Sequence, residues 1–293
     1  MSVELNKAVI RDWLRALAKV KALDGDSPEA GKKLHELSLY SFAVFILSAI
    51  LIQVVNTLVT AMFLLLFSMH FKLSLVGINY AYFTILNWPA ERIILVYSIG
   101  PVLCFIAGLL IMNLKSKSWK ANLVLTWLSF QLVCMLPAGM LAGVLIYDSF
   151  GFAFMWIFHS LLVRIALGLV AVGAMMLSAP YWTVRFLKAS FSMSFIEDLD
   201  KAKRYVRYVV LLPWLAGVVA FSAFAIPKHA YYWYICLVTL GIILLPVYKV
   251  SISSMELRLH KPTNEIFPFR YPKVIILSLV AVLWIVSLFS INL

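Results

Sequence analysis

Four polar side chains are spaced along one face of the first long apolar run of the sequence. They stand at i, i+3, i+4 and i+7 of a helix and are Gln53, Asn56, Thr57 and Thr60. Amide and hydroxyl groups inside a membrane need hydrogen-bond partners, so we expect this face to turn away from lipid. Two interpretations follow: the four groups bond neighbouring helices, or they form a substrate or ion site.

A single basic residue, Arg164, stands inside an apolar run. Counted from Gly151, it lies about 20 Å along a helix that rises about 1.5 Å per residue, which predicts a position near the middle of the span. A cation is costly at that depth and marks a functional site by default. The helix face of Arg164 also carries Ser160, Gly168 and Ala171, whose side chains are small or polar enough for this face to pack inside a bundle.

The counter-charge of Arg164 is not supplied by any apolar run, because none contains Asp or Glu. A bound anion, a lipid phosphate, an acidic residue of a partner protein, or the dipoles of Gln53 and Asn56 would serve. We predict that the guanidinium points into the bundle within reach of Gln53 or Asn56. A purely structural role is the alternative.

Side chains that could bind a metal are scattered over separate predicted helices, without an i, i+4 pair. These weak candidates are His70, Asp148, His159 and His229. His35-Glu36 opens an HExxH-like string, but Leu39 stands where the second histidine is needed. No P-loop, dinucleotide fingerprint or GxSxG motif is present. We therefore predict no cofactor and leave enzymatic activity undecided.

The elements that must position these residues are membrane-spanning helices. Hydrophobic residues make up 63% of the 293 residues and charged residues only 13%, with a mean hydropathy of +0.96. About 20 apolar residues cross a bilayer as a helix. The sequence predicts an all-α bundle with seven spans, at residues 41–69, 93–112, 123–146, 151–178, 207–227, 230–249 and 273–291. Residues 1–38 form a cytoplasmic segment and residues 39–293 a single membrane domain.

The basic residues are distributed unequally between alternate loops. Of the 25 Lys and Arg residues, 21 lie in the N-terminal segment and in the loops around 113–122, 179–207 and 249–273. The other side holds only Lys72, Arg92 and Lys228. This bias predicts a cytoplasmic N-terminus and an outer C-terminus in a bacterial inner membrane, and it accounts for the net charge of +12 without nucleic acid.

The N-terminal segment has the pattern of a basic amphipathic helix. Cations recur every four residues beside a tryptophan suited to the interface: Lys7, Arg11, Trp13, Arg15 and Lys19. We predict that it lies on anionic lipid headgroups of the cytoplasmic leaflet. Packing on the protein's own loops is the alternative.

Residues 72–89 alternate with a period nearer two than 3.6, which predicts an extended or hairpin segment after the first span. An interfacial helix is the alternative. We expect the segment to enter the membrane edge without crossing.

Residues 73–151 resemble the scaffold of the intramembrane metalloproteases (site-2 protease, peptidase M50). The resemblance rests on the order of a polar first span, an extended outer segment, a span with Ser98-Ile99-Gly100-Pro101, and Asp148 before Gly151. In that family a glycine-flanked aspartate binds zinc. The HExxH pair is absent, so the resemblance implies a related scaffold without the hydrolytic site.

These observations predict a non-enzymatic membrane subunit or scaffold that binds a protein partner or lipid through its helix bundle. The first alternative is a transporter or channel for an anionic substrate that uses Arg164. The second is a membrane-embedded enzyme acting on lipid or peptide.

Overall fold

The computed structural model describes residues 28–68, 71–74, 77–80, 89–146, 150–190, 199–225, 231–250 and 290–292. The predicted N-terminal amphipathic helix lies outside these residues. The described helices are α1 (Pro28–Leu66), α2 (Ala90–Met112), α3 (Trp119–Leu145), α4 (Phe150–Ile157), α5 (Leu161–Lys188), α6 (Leu199–Val206), α7 (Leu212–Ala225), α8 (Tyr231–Thr239) and α9 (Gly241–Val250). The π-helical turn Arg207–Leu211 joins α6 to α7.

Five described helical stretches are long and apolar enough to cross a membrane. They are Leu34–Leu66, Ala90–Met112, Trp119–Leu145, Leu161–Lys188 and Asp200–Ser222, and a shorter apolar stretch covers Tyr234–Tyr248. This is the pattern of a multi-pass membrane protein. The predicted spans 93–112 and 123–146 coincide closely with α2 and α3.

The first predicted span, 41–69, forms the greater part of α1, which is a single helix of 39 residues. It begins at Pro28, a residue suited to the first helical position because the N–H that proline lacks would have no partner there. The helix runs without interruption through residues 38 and 39, where the sequence predicts the boundary between the cytoplasmic segment and the membrane domain. Its exposed apolar residues recur every three or four positions, as expected of a lipid-facing stripe: Leu47, Leu51, Val55, Leu58, Met62 and Leu65.

The predicted span 151–178 was wrong as one helix, because the chain breaks between α4 and α5. Ser160 has an extended backbone at the N-cap position of α5, a position that serine favours. The short α4 folds back on α3 where two glycines meet. A Cβ at Gly143 would lie 2.9 Å from the Cα of Gly151. Gly143, the second glycine of the GxxxG sequence that starts at Gly139, thus lies at a close helix contact.

The predicted span 230–249 is also interrupted, with a turn at Leu240 between α8 and α9. The indole of Trp214 occupies this break. Its Nε1 donates to the backbone oxygen of Leu237 at 2.9 Å, an oxygen that in a continuous helix would accept from Gly241. A Cβ at Gly241 would lie 2.8 Å from Cζ2 of the same ring. The tryptophan therefore replaces a helical hydrogen bond.

The helix predicted from 207 to 227 starts earlier, since α6 adds a charged turn before the π-helical turn. Pro213 stands just inside α7. Because proline has no N–H, it cannot bond the carbonyl of Val209, four residues earlier. The N–H of Leu212 bonds the oxygen of Arg207, five residues earlier, as a π-turn requires.

Three short strands pair at one end of the bundle; β1 and β2 come between α1 and α2 in the chain, and β3 comes after α9. Strands β1 (Phe71–Ser74) and β2 (Gly77–Tyr80) pair antiparallel, so the segment after α1 is extended in these residues, as predicted, and not an interfacial helix. Strand β3 (Ser290–Asn292) pairs with the other edge of β1. The predicted helix 273–291 was wrong at its last two residues, which are in β3, and its remainder lies outside the described residues.

Two apolar clusters are stacked along the helices. One joins the first half of α1 to α3, the second half of α5, α6, α7 and α9. The other joins the second half of α1 to α2, α3 and α4. We call the end at which α2 and α5 finish and α3 and α6 begin the basic end, after its cations Lys115, Lys117, Lys120, Arg185, Lys188, Lys201, Lys203, Arg204 and Arg207. The opposite end, with β1 and β2, is the hairpin end.

Candidate functional site

The polar face of α1 is turned into the protein. Gln53, Thr57 and Thr60 are buried, and Asn56 is partly buried. Thr60 donates its hydroxyl to the backbone oxygen of Asn56 at 2.9 Å, a bond within its own helix. Three of the four predicted polar residues are thus buried, and one of these three, Thr60, donates its hydroxyl within its own helix.

Asn56 meets α2 at a glycine. A Cβ at Gly100 would overlap Oδ1 of Asn56 and would lie 3.1 Å from the Asn56 backbone oxygen, so only glycine permits this approach. Pro101, the next residue of α2, lacks the N–H that would bond the carbonyl of Tyr97. Within the described part of the chain, Oδ1 of Asn56 has no hydrogen-bond partner. The contact therefore offers one acceptor at an apolar helix crossing.

Arg164 lies in the first turn of α5 and not in the middle of a long span. Its N–H bonds the oxygen of Ser160 at 3.1 Å, and its side chain is only 6% exposed, so it is turned into the protein as predicted. Gly168, one turn further, faces Leu141 and Val144 near the end of α3. This contact places Arg164 toward the hairpin end of the bundle.

That the guanidinium of Arg164 lies within reach of Gln53 or Asn56 stays a prediction, although Oδ1 of Asn56 has no hydrogen-bond partner among the described residues. Ser160 was predicted to share the buried face of Arg164. It is instead exposed at the N-cap of α5, because the helix starts one residue after it. Gly168 and Ala171, which share that face in the prediction, are buried with Arg164.

Of the weak metal candidates, only His159 is described, and it is exposed between α4 and α5. His70, Asp148 and His229 lie outside the described residues, as do the membrane-surface candidates Lys7, Arg11, Trp13, Arg15 and Lys19. In the described ranges, no group of three or more His, Cys, Asp or Glu side chains could hold a metal ion.

A buried polar junction that was not predicted from the sequence joins α1, α3 and the π-turn. Trp127 of α3 donates its Nε1 to the hydroxyl of Ser41 at 2.8 Å, and that hydroxyl donates to the backbone oxygen of Val209 in the π-turn. Nearby, Gln131 donates its Nε2 to the oxygen of Phe45 at 3.1 Å. Pro213 was the available signal, because a proline inside an apolar run frees the carbonyl four residues before it.

Aromatic rings fill the centre of the same half of the bundle. The ring of Trp127 contacts Phe45 at 5.1 Å and Phe186 at 4.9 Å between centroids, both edge to face. Phe130 continues the stack to Trp182 at 5.0 Å. Such pairs add about 0.5–1.5 kcal/mol each beyond their burial in soluble proteins. The rings come from three helices and hold them together.

The basic end is tied together by two arginine–tyrosine pairs. Arg185 donates Nη1 to the hydroxyl of Tyr181 at 3.0 Å and to the backbone oxygen of Met112, at the last residue of α2. Arg207 donates Nη2 to the hydroxyl of Tyr248 at 2.6 Å and stacks on its ring. Both cations stand near helix ends, so they link α5 to α2 and the π-turn to α9.

One helix is much less covered than the others. In the most apolar part of α5 only 22% of the residues are buried, against 33–56% in the other four candidate spans. Its exposed large residues are Leu161, Leu162, Val163, Ile165, Leu169, Val170, Met176 and Leu177. Gly173 has nothing within 4 Å of the position a Cβ would take.

Comparison of the chain with protein-family models, curated proteins and solved structures yields no match.

Proposed function

We propose that this protein is a non-enzymatic membrane subunit or scaffold that binds a partner through its helix bundle, with the exposed face of α5 as the binding surface. The proposal rests chiefly on the low burial of α5. Its partner would be a membrane-spanning helix of another protein. The alternative is that lipid alone covers this face, and the experiment must distinguish lipid from a protein helix.

The composition of the α5 face supports a helix as the partner. Ala166, Gly173 and Ala174 are small and interrupt the large apolar residues of α5, while Ala166 and Ala174 are exposed. Helices in membranes associate mainly through close packing, which small residues permit because the backbones can approach. The filled aromatic centre around Trp127 supports a rigid scaffold more than a conduit through that half of the bundle.

The experiment uses the full chain in its native membrane, with a photoreactive amino acid at Leu169, which is 67% exposed on α5. The matched control carries the same amino acid at Leu58 of α1, which is 52% exposed. A discrete protein adduct from Leu169 and not from Leu58, seen again after purification in mild detergent and mass spectrometry, is expected. Lipid adducts alone at both positions would overturn the proposal.

We also propose the orientation predicted from the charges, with the N-terminus in the cytoplasm, the C-terminus outside and seven crossings. The described cations concentrated at the basic end support a cytoplasmic location of that end. The pairing of β3 with β1 sets residue 290 at the end opposite the start of α1, which supports an odd number of crossings when α1 itself is counted.

A second candidate function is transport of an anion at Arg164. Two apolar helices are interrupted, at residues 158–160 and at Leu240, and interrupted helices are common at the substrate sites of transporters. In proteoliposomes, Arg164→Leu should abolish anion uptake and Arg164→Lys should restore little, because a point charge does not replace the planar guanidinium. Lys188→Gln, which removes an exposed cation from the same helix, is the control. Unchanged uptake in Arg164→Leu would exclude this candidate.

The resemblance to the intramembrane metalloprotease scaffold stays a prediction. The contact between Asn56 on the polar face of α1 and Gly100 of α2 supports it, because the resemblance rests on both the polar first span and the span with Gly100-Pro101. His70 and Asp148 lie outside the described residues, so a structure of the segments that contain them is the test.

A further inference from the structure

At the basic end, we infer that Arg185 and Tyr181 of α5 bind the phosphate group of an anionic phospholipid. This site lies at the basic end of α5 and shares only Leu177 with the α5 face that would bind a partner, and it does not depend on the proposed function. The ligand would present a phosphate group next to an acyl chain.

The arginine is held in place before any ligand arrives. Its Nη1 donates to the oxygen of Met112 and to the hydroxyl of Tyr181, and its Nη2 lies 3.5 Å from the oxygen of Leu114. Because the tyrosine oxygen accepts from Arg185, its own proton is available for an acceptor. Because both hydrogens of Nη1 are donated within the protein, a phosphate would accept from the second N–H of Nη2 and from this O–H.

The neighbouring loop 113–118 is held by side-chain hydrogen bonds. Asn122 clamps it, accepting from the N–H of Ser116 at 2.8 Å and donating to the oxygen of Ser116 at 2.8 Å. The loop carries Lys115 and Lys117, both exposed. Arg185 offsets the partial negative charge at the C-terminus of α2, and the two lysines leave the surroundings positive.

The exposure of α5 at this point favours a lipid over a soluble anion as the ligand. Tyr181 is 43% exposed, and Leu177, one turn toward the membrane centre, is 84% exposed. These two residues stand at i and i+4 and so lie on one face of the helix. An acyl chain along Leu177 would bring its headgroup phosphate to Tyr181 and Arg185. A free phosphate would gain nothing from the leucine.

The experiment counts bound lipid by native mass spectrometry of the full chain, after reconstitution in phosphatidylcholine with a minor share of phosphatidylglycerol. Wild-type protein should retain phosphatidylglycerol selectively. Arg185→Gln should reduce this selectivity about tenfold, since a charge-assisted contact is lost. Tyr181→Phe should reduce it about threefold while Arg185 remains bonded to Met112, which separates lipid binding from damage to the fold.

Lys188→Gln is the matched control, since Lys188 is an exposed cation three residues beyond Arg185 on the same helix. It should leave the selectivity unchanged. An equal loss in Lys188→Gln and Arg185→Gln would overturn the site in favour of the general charge of the basic end. Displacement of the lipid by excess inorganic phosphate would overturn the assignment to lipid, and unchanged selectivity in both Arg185→Gln and Tyr181→Phe would overturn the inference altogether.

Discussion

The hydroxyl of Ser41 donates a hydrogen bond to the backbone oxygen of Val209, 168 residues away in the chain. The same hydroxyl accepts from Nε1 of Trp127, so one serine joins α1, α3 and the π-turn. Pro213 creates the need for this bond, because it leaves the carbonyl of Val209 without the helical donor four residues on. A helix-breaking residue in one span is thereby compensated by a polar residue in another.

Ser41→Ala is expected to destabilise the folded protein by about 1–2 kcal/mol, since both Trp127 Nε1 and the oxygen of Val209 lose a buried partner. Thermal unfolding of the purified protein in detergent measures the change. Ser222→Ala is the control, because the Ser222 hydroxyl is exposed and bonds only Val219 of its own helix. The junction is unimportant if the two variants unfold at the same temperature.

Pro213→Ala is expected to make Ser41 less important. The new N–H at position 213 can bond the oxygen of Val209 within the helix. Ser41→Ala should then cost less in the Pro213→Ala background than in the wild type, with a coupling of about 0.5 kcal/mol or more. A double-mutant cycle of unfolding free energies measures it, and strictly additive effects would contradict the proposed compensation.

Gly100→Ala is expected to destabilise the contact between α1 and α2, because the added methyl group overlaps Oδ1 of Asn56. Asn56→Ala should restore part of the loss by removing that oxygen. Gly173→Ala is the matched control, since open space surrounds the position of its Cβ. Expression and thermal midpoint are measured for Gly100→Ala, for Gly100→Ala combined with Asn56→Ala, and for Gly173→Ala. Comparable losses for the two single glycine variants would show that close packing is not the cause.

Single cysteines are expected to report the orientation. In a background without Cys104, Cys134 and Cys236, which are buried free thiols, cysteines at Ser2, Ser116, Ser192 and Thr263 should resist a membrane-impermeant thiol reagent in intact cells. Cysteines near Asn79, Ser149 and Lys228 should react. Permeabilised cells provide the control for accessibility. Reaction at Ser192 in intact cells would contradict the predicted side of its loop.

A peptide of residues 1–23 is expected to bind anionic vesicles and to dissociate at high salt. The cationic face acts within a Debye length of about 8 Å at physiological ionic strength, so added salt screens it. Co-sedimentation with phosphatidylglycerol-containing and pure phosphatidylcholine vesicles measures this. Equal binding to both compositions would leave the apolar face as the only cause.

Length and hydropathy were sufficient to predict α2 and α3, because a span needs about 20 apolar residues and these helices have little else. The same criteria could not locate the breaks at Ser160 and Leu240. Contacts with other helices accompany both interrupted segments: Gly143 packs against Gly151 at the start of α4, and the Trp214 indole packs against Gly241 at the second break. Hydropathy is a property of neighbouring residues in the sequence and contains no information on contacts between helices.

The position of Arg164 shows the same limit. Its cost in an apolar environment, and hence its burial, followed from the sequence alone. Its depth did not, because a count along a continuous helix fails once the chain breaks at residues 158–160. The face of α1 that carries Gln53, Asn56 and Thr57 was predictable from helical spacing, which is a local property. Tertiary packing decided two other contacts, Asn56 with Gly100 and Ser41 with Val209. Each joins residues that are far apart in the chain, so it forms only when the helices between them are packed.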